Sequence, residues 1–171
     1  YITNETDDEL REAIREFFMN LNVNSRRGSE RPYVTLNFGL DVSNNGRRAS
    51  RLLLEVFELG DDRGNAFVFT NLVFKLKSGV NTEKEFLNYD LYQKALQVTA
   101  KRMVPTYFNC DSASNAAFLP NSIGIMGCRT RVAQNINGPK GALNRGNIAC
   151  VTLNLVQMAL RSGGNERALN C

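Results

Sequence analysis

The segment AFVFTNLVFKL, residues 66–76, is largely apolar at both odd and even positions. A strand wetted on one side alternates apolar and polar residues, so this run predicts a strand covered on both faces, as in a parallel sheet flanked by helices. YVTLNF, residues 33–38, is β-branched and aromatic, and predicts a strand with Val34, Leu36 and Phe38 on one side. PTYFN, residues 105–109, predicts a short strand. IACVTLNL, residues 148–155, predicts a final one, with a short helix over 156–161.

Helical patterns lie between and before these runs. In TDDELREAIREFFMNLN, Thr6 precedes Glu9 at capping-box spacing, and Leu10, Ile14, Phe17, Phe18 and Leu21 share a face. SNNGRRASRLLLEVFELG predicts a helix that starts near Ser43 and stops at Gly60. NYDLYQKALQVTAKRM sets Leu91, Ala95, Val98 and Arg102 near helical spacing and ends before Pro105. Strands starting near residues 33, 67, 105 and 148 therefore predict an α/β fold, a largely parallel sheet of alternating strands and helices, in one domain over 1–171. Such folds bind ligands at the carboxyl ends of their strands. Residues 111–146, rich in Ser, Asn and Gly, read as a loop, and a loop of that length is usually functional.

A hydrophobic fraction of 43% and a net charge of +4 describe a soluble globular chain that can meet anions but carries no nucleic-acid patch on that ground alone. No apolar run approaches the ~18–20 residues of a membrane span, and the start shows no leader pattern, so a cytoplasmic protein is expected. The chain has no histidine, which removes histidine bases and histidine metal ligands from its own chemistry. No carboxylate cluster has metal-site spacing, and no metal is expected in this segment. GPKGALNRGN, residues 138–147, is glycine-rich but lacks the order of a phosphate-binding loop.

The four cysteines, Cys110, Cys128, Cys150 and Cys171, are widely spaced, and free thiols are expected. Most free cysteines are buried and inert. Cys150 sits inside an apolar run, as such a residue should, whereas Cys128 lies in IGIMGCRTRV between glycines and arginines. Gly124 and Gly127 leave the backbone room to turn, and Arg129 and Arg131 either lower the thiol pKa or bind anions. Without a histidine base, a reactive Cys128 needs another mode of activation. Asn37 and Asn154 fall in strands, where asparagine is depleted, and Asn147 precedes one; each marks either a site or a turn or cap.

Taken in order, several motifs resemble the catalytic domain of the anaerobic ribonucleoside-triphosphate reductases, the glycyl-radical class of ribonucleotide reductase. They are NLNVNSRRGSERPYVTLNFGLDVSNNGRRASR, FKLKSGVN, NYDLYQKALQVTAKRMVPTYFN, MGCRTRV and RGNIACVTLNL. The resemblance implies that residues 1–171 form part of a ten-stranded α/β barrel, with Cys128 at the tip of a loop threaded into it. It implies that a glycyl radical converts Cys128 to a thiyl radical, which takes a hydrogen from the ribose of a ribonucleoside triphosphate. Cys128 and Asn147 are then the catalytic candidates, and Asn37, Met126, Gly127 and Arg129 the substrate-binding ones. The family's glycyl-radical segment, its zinc site and its regulatory nucleotide domain have no counterpart in these residues, and Cys110 reads as an ordinary strand-end residue rather than a second active-site cysteine. The implied partners are the rest of a reductase chain, a radical-SAM activating enzyme and a second copy in a homodimer. Residue types alone also allow a non-catalytic module that binds nucleotides or phosphates through Arg129, Arg131 and the glycine-rich loop.

Overall fold

The computed structural model describes residues 4–23, 33–138, 141–146 and 152–163. Three parallel strands form the main sheet: β1 (Thr35–Phe38), β2 (Asn71–Leu76) and β3 (Thr106–Asn109), in the order β1-β2-β3. Helix α1 (Asp7–Asn22) precedes β1, α2 (Asn44–Leu59) joins β1 to β2, and α3 (Tyr89–Arg102) joins β2 to β3. The α/β reading therefore holds for the described residues, with the strands in chain order and the register Phe38–Phe74–Tyr107 across the sheet.

The helices begin and end where local chemistry dictates. The Glu9 amide donates to Thr6 Oγ1, and the Thr6 amide donates to Glu9 Oε2 at 2.7 Å, closing the capping box of α1. Ser43 Oγ accepts from the Gly46 amide to start α2, and Gly60, at φ 84°, ends it in a conformation that favours glycine. Arg102, in the last turn of α3, donates to the carbonyls of Glu58 and Leu59 at 2.8 Å each, satisfying the open end of α2.

Strand alternation sends Leu36, Phe38, Leu72, Phe74, Leu76 and Tyr107 toward the helices. They pack with Phe18, Leu54, Val56, Phe57, Leu91, Ala95 and Val98 in the principal core. On α1, Phe18 is fully buried while Phe17 is 40% exposed, so the apolar face is narrower than the sequence pattern implies. The opposite face of β2 carries Asn71, Val73 and Lys75, and Val73 packs there with Ile123 and Ile125 in a second, smaller core. The double burial expected of this strand is thus real, but its two faces bury different chemistry.

Three expectations require correction. The strand expected over 66–76 begins only at Asn71. Upstream, the side chain of Asn22 accepts from the amides of Val68 and Phe69 and donates to the Phe69 carbonyl, and Thr70 takes φ 120°, so the backbone there is bonded to α1 and turned out of the sheet. The 111–146 segment is not uniformly loop: a 3-10 turn at Pro120–Ser122 leads into an antiparallel pair, β4 (Gly124–Ile125) and β5 (Arg131–Val132). For the final strand expected over 148–155, residues 147–151 lie outside the described residues and 152–154 are irregular. Asn154 instead caps α4 (Leu155–Ser162) by accepting from the Gln157 amide at 2.9 Å. Among the described residues, no helix is long and apolar enough to cross a membrane.

The α1–α2 contact is electrostatic at its outer end. Arg48 and Arg51 both hydrogen-bond the Asp7 carboxylate, at 2.6 and 2.8 Å, and hold its pKa near 2, below its ordinary 3.8. A carboxyl with a depressed native pKa stabilises the fold above its unfolded pKa and loses that contribution as pH falls through the native one. Asp7→Asn should therefore lower the melting temperature at neutral pH, and the difference from the parent should close as pH falls from 3.8 toward 2 in an acid melting series. A difference that stays constant over that window would show that the pairing contributes no linkage.

Candidate active site

Cys128 stands at the tip of the β4–β5 hairpin. The Met126 amide donates to the Thr130 carbonyl at 2.9 Å, and the Arg129 amide donates to the Met126 carbonyl at 2.8 Å. Gly127, Cys128 and Arg129 therefore form a three-residue hairpin loop whose last residue is left-handed, at φ 68° for Arg129. Glycine is the easy occupant of that position; arginine there costs about 1–2 kcal/mol. Gly127 is constrained from the other side, since a Cβ at this position would overlap the ring of Tyr33. Cys128 is exposed and reduced, and its thiol donates to Thr130 Oγ1 at 3.1 Å. Cys110 is 2% exposed, and burial pushes its thiol pKa up, so the inert type of cysteine is found at the end of β3 and not on the hairpin.

The approach to the hairpin lies across the sheet face that carries Asn71, Val73 and Lys75. Asn37, on β1, donates from Nδ2 to the Ile125 carbonyl at 3.0 Å and accepts from the Ile125 amide at 2.9 Å. Asn71 Nδ2 donates to the Gly127 carbonyl at 2.9 Å. Lys75 Nζ donates to the carbonyls of Pro120, at 3.0 Å, and Ile123, and burial pushes its pKa down from the usual 10.5. On the far strand of the hairpin, Arg131 bonds the Ser114 carbonyl and Asn115 Oδ1 and lies 4.9 Å from the Phe118 ring centroid. Arg129 extends instead toward Thr106 Oγ1, at 3.5 Å.

At the carboxyl end of β1 a polar cavity of about 710 Å³ opens, lined in part by Asn37, Gly39, Asp41, Ser50, Lys75 and Asn121. Its wall is fixed by two asparagines of zero exposure. Asn81 Nδ2 donates to the carbonyls of Gly39 and Lys75, while its Oδ1 accepts from the Lys77 amide. Asn88 Nδ2 donates to the carbonyls of Gly39 and Asp41, and Arg47 donates to its Oδ1 at 2.7 Å.

The structure thus brings Asn37, Met126, Gly127, Cys128 and Arg129 together around one hairpin, while Asn147 lies outside the described residues. Reasoning from sequence missed Asn71, Lys75, Asn81 and Asn88. One signal was available: Asn71 and Lys75 sit at even spacing in an otherwise apolar strand, so they share a face that apolar packing alone does not explain. Among the described residues, no three Cys, Asp or Glu side chains converge as a metal site.

The described residues thus form an α/β domain with a parallel sheet and a thiol presented on a hairpin over its polar face, and sequence comparison supplies the family. The family model for anaerobic ribonucleoside-triphosphate reductase matches residues 1–170, and the chain belongs to that family. It is 33% identical to the anaerobic ribonucleoside-triphosphate reductase of Salmonella typhimurium over 98% of this chain and 24% of the relative. The Escherichia coli K12 enzyme of the same name is 32% identical over 97% of this chain and 24% of its own length. That of enterobacteria phage T4 is 30% identical over 95% and 27%. The chain therefore spans about a quarter of the curated relatives it matches.

The buried asparagines give a direct test of the cavity wall. Asn81→Ala takes its side-chain partner from the Lys75 carbonyl and the Lys77 amide and leaves the Gly39 carbonyl only the Asn88 donor. A buried group left unpaired costs about 1–3 kcal/mol, so a loss of about 2–4 kcal/mol in unfolding free energy is expected after partial relaxation. Asn81→Asp, which turns an acceptor toward the Gly39 and Lys75 carbonyls, should destabilise at least as much. Chemical denaturation of both variants checks this; a loss near zero would mean that the wall does not depend on Asn81.

Proposed function

We propose that this chain is part of an anaerobic ribonucleotide reductase that converts ribonucleoside triphosphates to deoxyribonucleotides through a thiyl radical at Cys128. The observation that carries the reading is an exposed, reduced cysteine at the tip of a braced hairpin, in a chain matched along its length by one reductase family. The glycyl radical expected outside these residues supplies the oxidising equivalent. Cys128 would pass the hydrogen atom of its S–H bond to that glycyl carbon, restoring the glycine and leaving the unpaired electron on sulfur. That sulfur then takes a hydrogen atom from the ribose, which restores S–H and leaves the radical on the sugar. No base is consumed in either transfer, which suits a chain with no histidine. The Thr130 hydroxyl holds the thiol hydrogen and selects one rotamer of the side chain.

Arg129 is assigned to the substrate. A non-glycine residue kept in the left-handed region points to a side chain retained for function, and a guanidinium suits phosphate oxygens. Met126 and Gly127 flank the thiol, Asn147 is assigned to the ribose, and the polar cavity at the carboxyl end of β1 is the adjoining cleft. Asn37 borders both the cleft and the hairpin. The sheet is read as part of the ten-stranded barrel. In support, β1 is an edge strand among the described residues, beside an apolar groove of about 460 Å³ lined by α1, α2 and β1. The remainder of a reductase chain, carrying the zinc site, a second copy and a radical-SAM activating enzyme are the expected partners, in the cytoplasm. The phosphate-module reading draws on Arg131, whose guanidinium is instead engaged within its own loop.

In the intact reductase, Cys128→Ser should abolish ribonucleotide reduction and leave nucleotide affinity unchanged, as read by product assay and equilibrium binding; surviving turnover would end the thiyl assignment. Arg129→Gly removes the backbone strain together with the charge. It should raise KM about tenfold or more, the loss of a charge-assisted contact, with no loss of thermal stability. An unchanged KM would remove Arg129 from the substrate site.

A further inference from the structure

The carbonyls of Ile123 and Ile125, on the chain entering the hairpin, and of Gly127, at the start of its loop, each meet a side-chain donor from the parallel sheet: Lys75, Asn37 and Asn71 respectively. Period two puts the Ile123 and Ile125 carbonyls on one side of the chain, and the loop that follows turns the Gly127 carbonyl to Asn71. The donors come from two adjacent strands and share the face opposite the helices, since Asn37 is in register with Val73 and Asn71 and Lys75 lie two residues either side of it. Asn37 also accepts from the Ile125 amide, so its carboxamide pairs with Ile125 as a peptide group of a neighbouring strand would. Backbone ladders join strands edge to edge; here side chains substitute for the ladder and let a strand cross the face of a sheet.

We infer that Asn37, Asn71 and Lys75 are positioning residues that set the height and lateral place of the Cys128 thiol through the backbone of residues 123–127. The last bond of the series falls on Gly127, one residue before the sulfur. Val73, Ile123 and Ile125, with Phe108, Phe118 and Ala133 packed against them, give the run a small apolar core; such packing is non-directional, and the directional bonds set the register. The Pro120 carbonyl, also bonded by Lys75, anchors the start of the run. The left-handed Arg129 follows this fixed segment, as expected where the surrounding structure over-determines a strained residue. Hydrogen-atom transfer requires close approach of donor and acceptor, and a misplacement of about 1 Å can cost about 100-fold in rate.

The catalytic consequence rests on the proposed role of Cys128; the positioning does not. In the intact reductase, Asn37→Ala and Asn71→Ala should lower kcat by about tenfold or more while KM stays within about twofold. The glycyl radical yield, read by electron paramagnetic resonance, should match the parent, and alkylation of Cys128 by iodoacetamide, followed by mass spectrometry, should be faster. Should Asn37→Ala fail to fold, Asn71→Ala, which removes one bond at a half-buried position, carries the same readouts. Unchanged alkylation rates overturn the brace itself. Faster alkylation with unchanged kcat overturns its catalytic part, as does a fall in kcat matched by a rise in KM and a loss of radical yield. Turnover in Cys128→Ser would instead overturn the functional reading and leave the alkylation test of the brace standing.

Discussion

Strand β2 is paired on both edges and covered on both faces, by the helix-side core on one and by Ile123 and Ile125 on the other. Leu72 and Phe74 face the helices at zero exposure, and burial of such side chains contributes roughly 1.5–3 kcal/mol each. Asn71 and Lys75 face the other way and spend their donors on the hairpin that carries Cys128. One six-residue strand therefore supplies both the hydrophobic floor of the domain and the polar fixture of its candidate site. Its parallel neighbours matter because they align the carboxyl ends of β1 and β2, where Asn81 spans the Gly39 and Lys75 carbonyls.

The two faces differ in how they specify structure. Apolar packing on the helix side is non-directional and tolerates small shifts, because many contacts share the load. On the hairpin side, each bond has one donor and one acceptor at 2.9–3.0 Å for Asn37 and Asn71, and a one-residue slip would turn the bonded carbonyls away. Asparagine suits this task because its carboxamide offers both halves of a peptide group on a short, stiff side chain. Lysine suits the remaining position because its long, flexible stem lets one ammonium meet two carbonyls, those of Pro120 and Ile123.

Local features were legible in the sequence and long-range ones were not. The Thr6–Glu9 box, the Ser43 cap and the Gly60 stop are read within a few residues, and all three stand in the structure. The double burial of β2 was legible because alternation is also local. Its start was misread because the bonds that end it upstream come from Asn22, 46 and 47 residues away from their partners at Val68 and Phe69. The hairpin within 111–146 left no pattern because strands of two residues are too short to alternate. Asn37 stood out as a polar residue in a strand, but its partner Ile125 lies 88 residues further on. Lys75 lay inside the expected strand but drew no assignment, because lysine is rarely buried; only the fold shows it at 6% exposure.

The hairpin also bears on the kind of cysteine chemistry that fits. A thiolate nucleophile is obtained by favouring the charged form of sulfur, through a base, a cation or a helix N-terminus. At Cys128 the thiol donates its hydrogen to the Thr130 hydroxyl at 3.1 Å. The adjacent guanidinium of Arg129 reaches toward Thr106, and that of Arg131 is taken up by Ser114 and Asn115. A group that must give up a hydrogen atom has to keep it until the acceptor arrives, so retention of S–H is the useful state for homolytic transfer and the wrong one for nucleophilic attack. The hydroxyl partner and the braced backbone are compatible with the homolytic role proposed for Cys128.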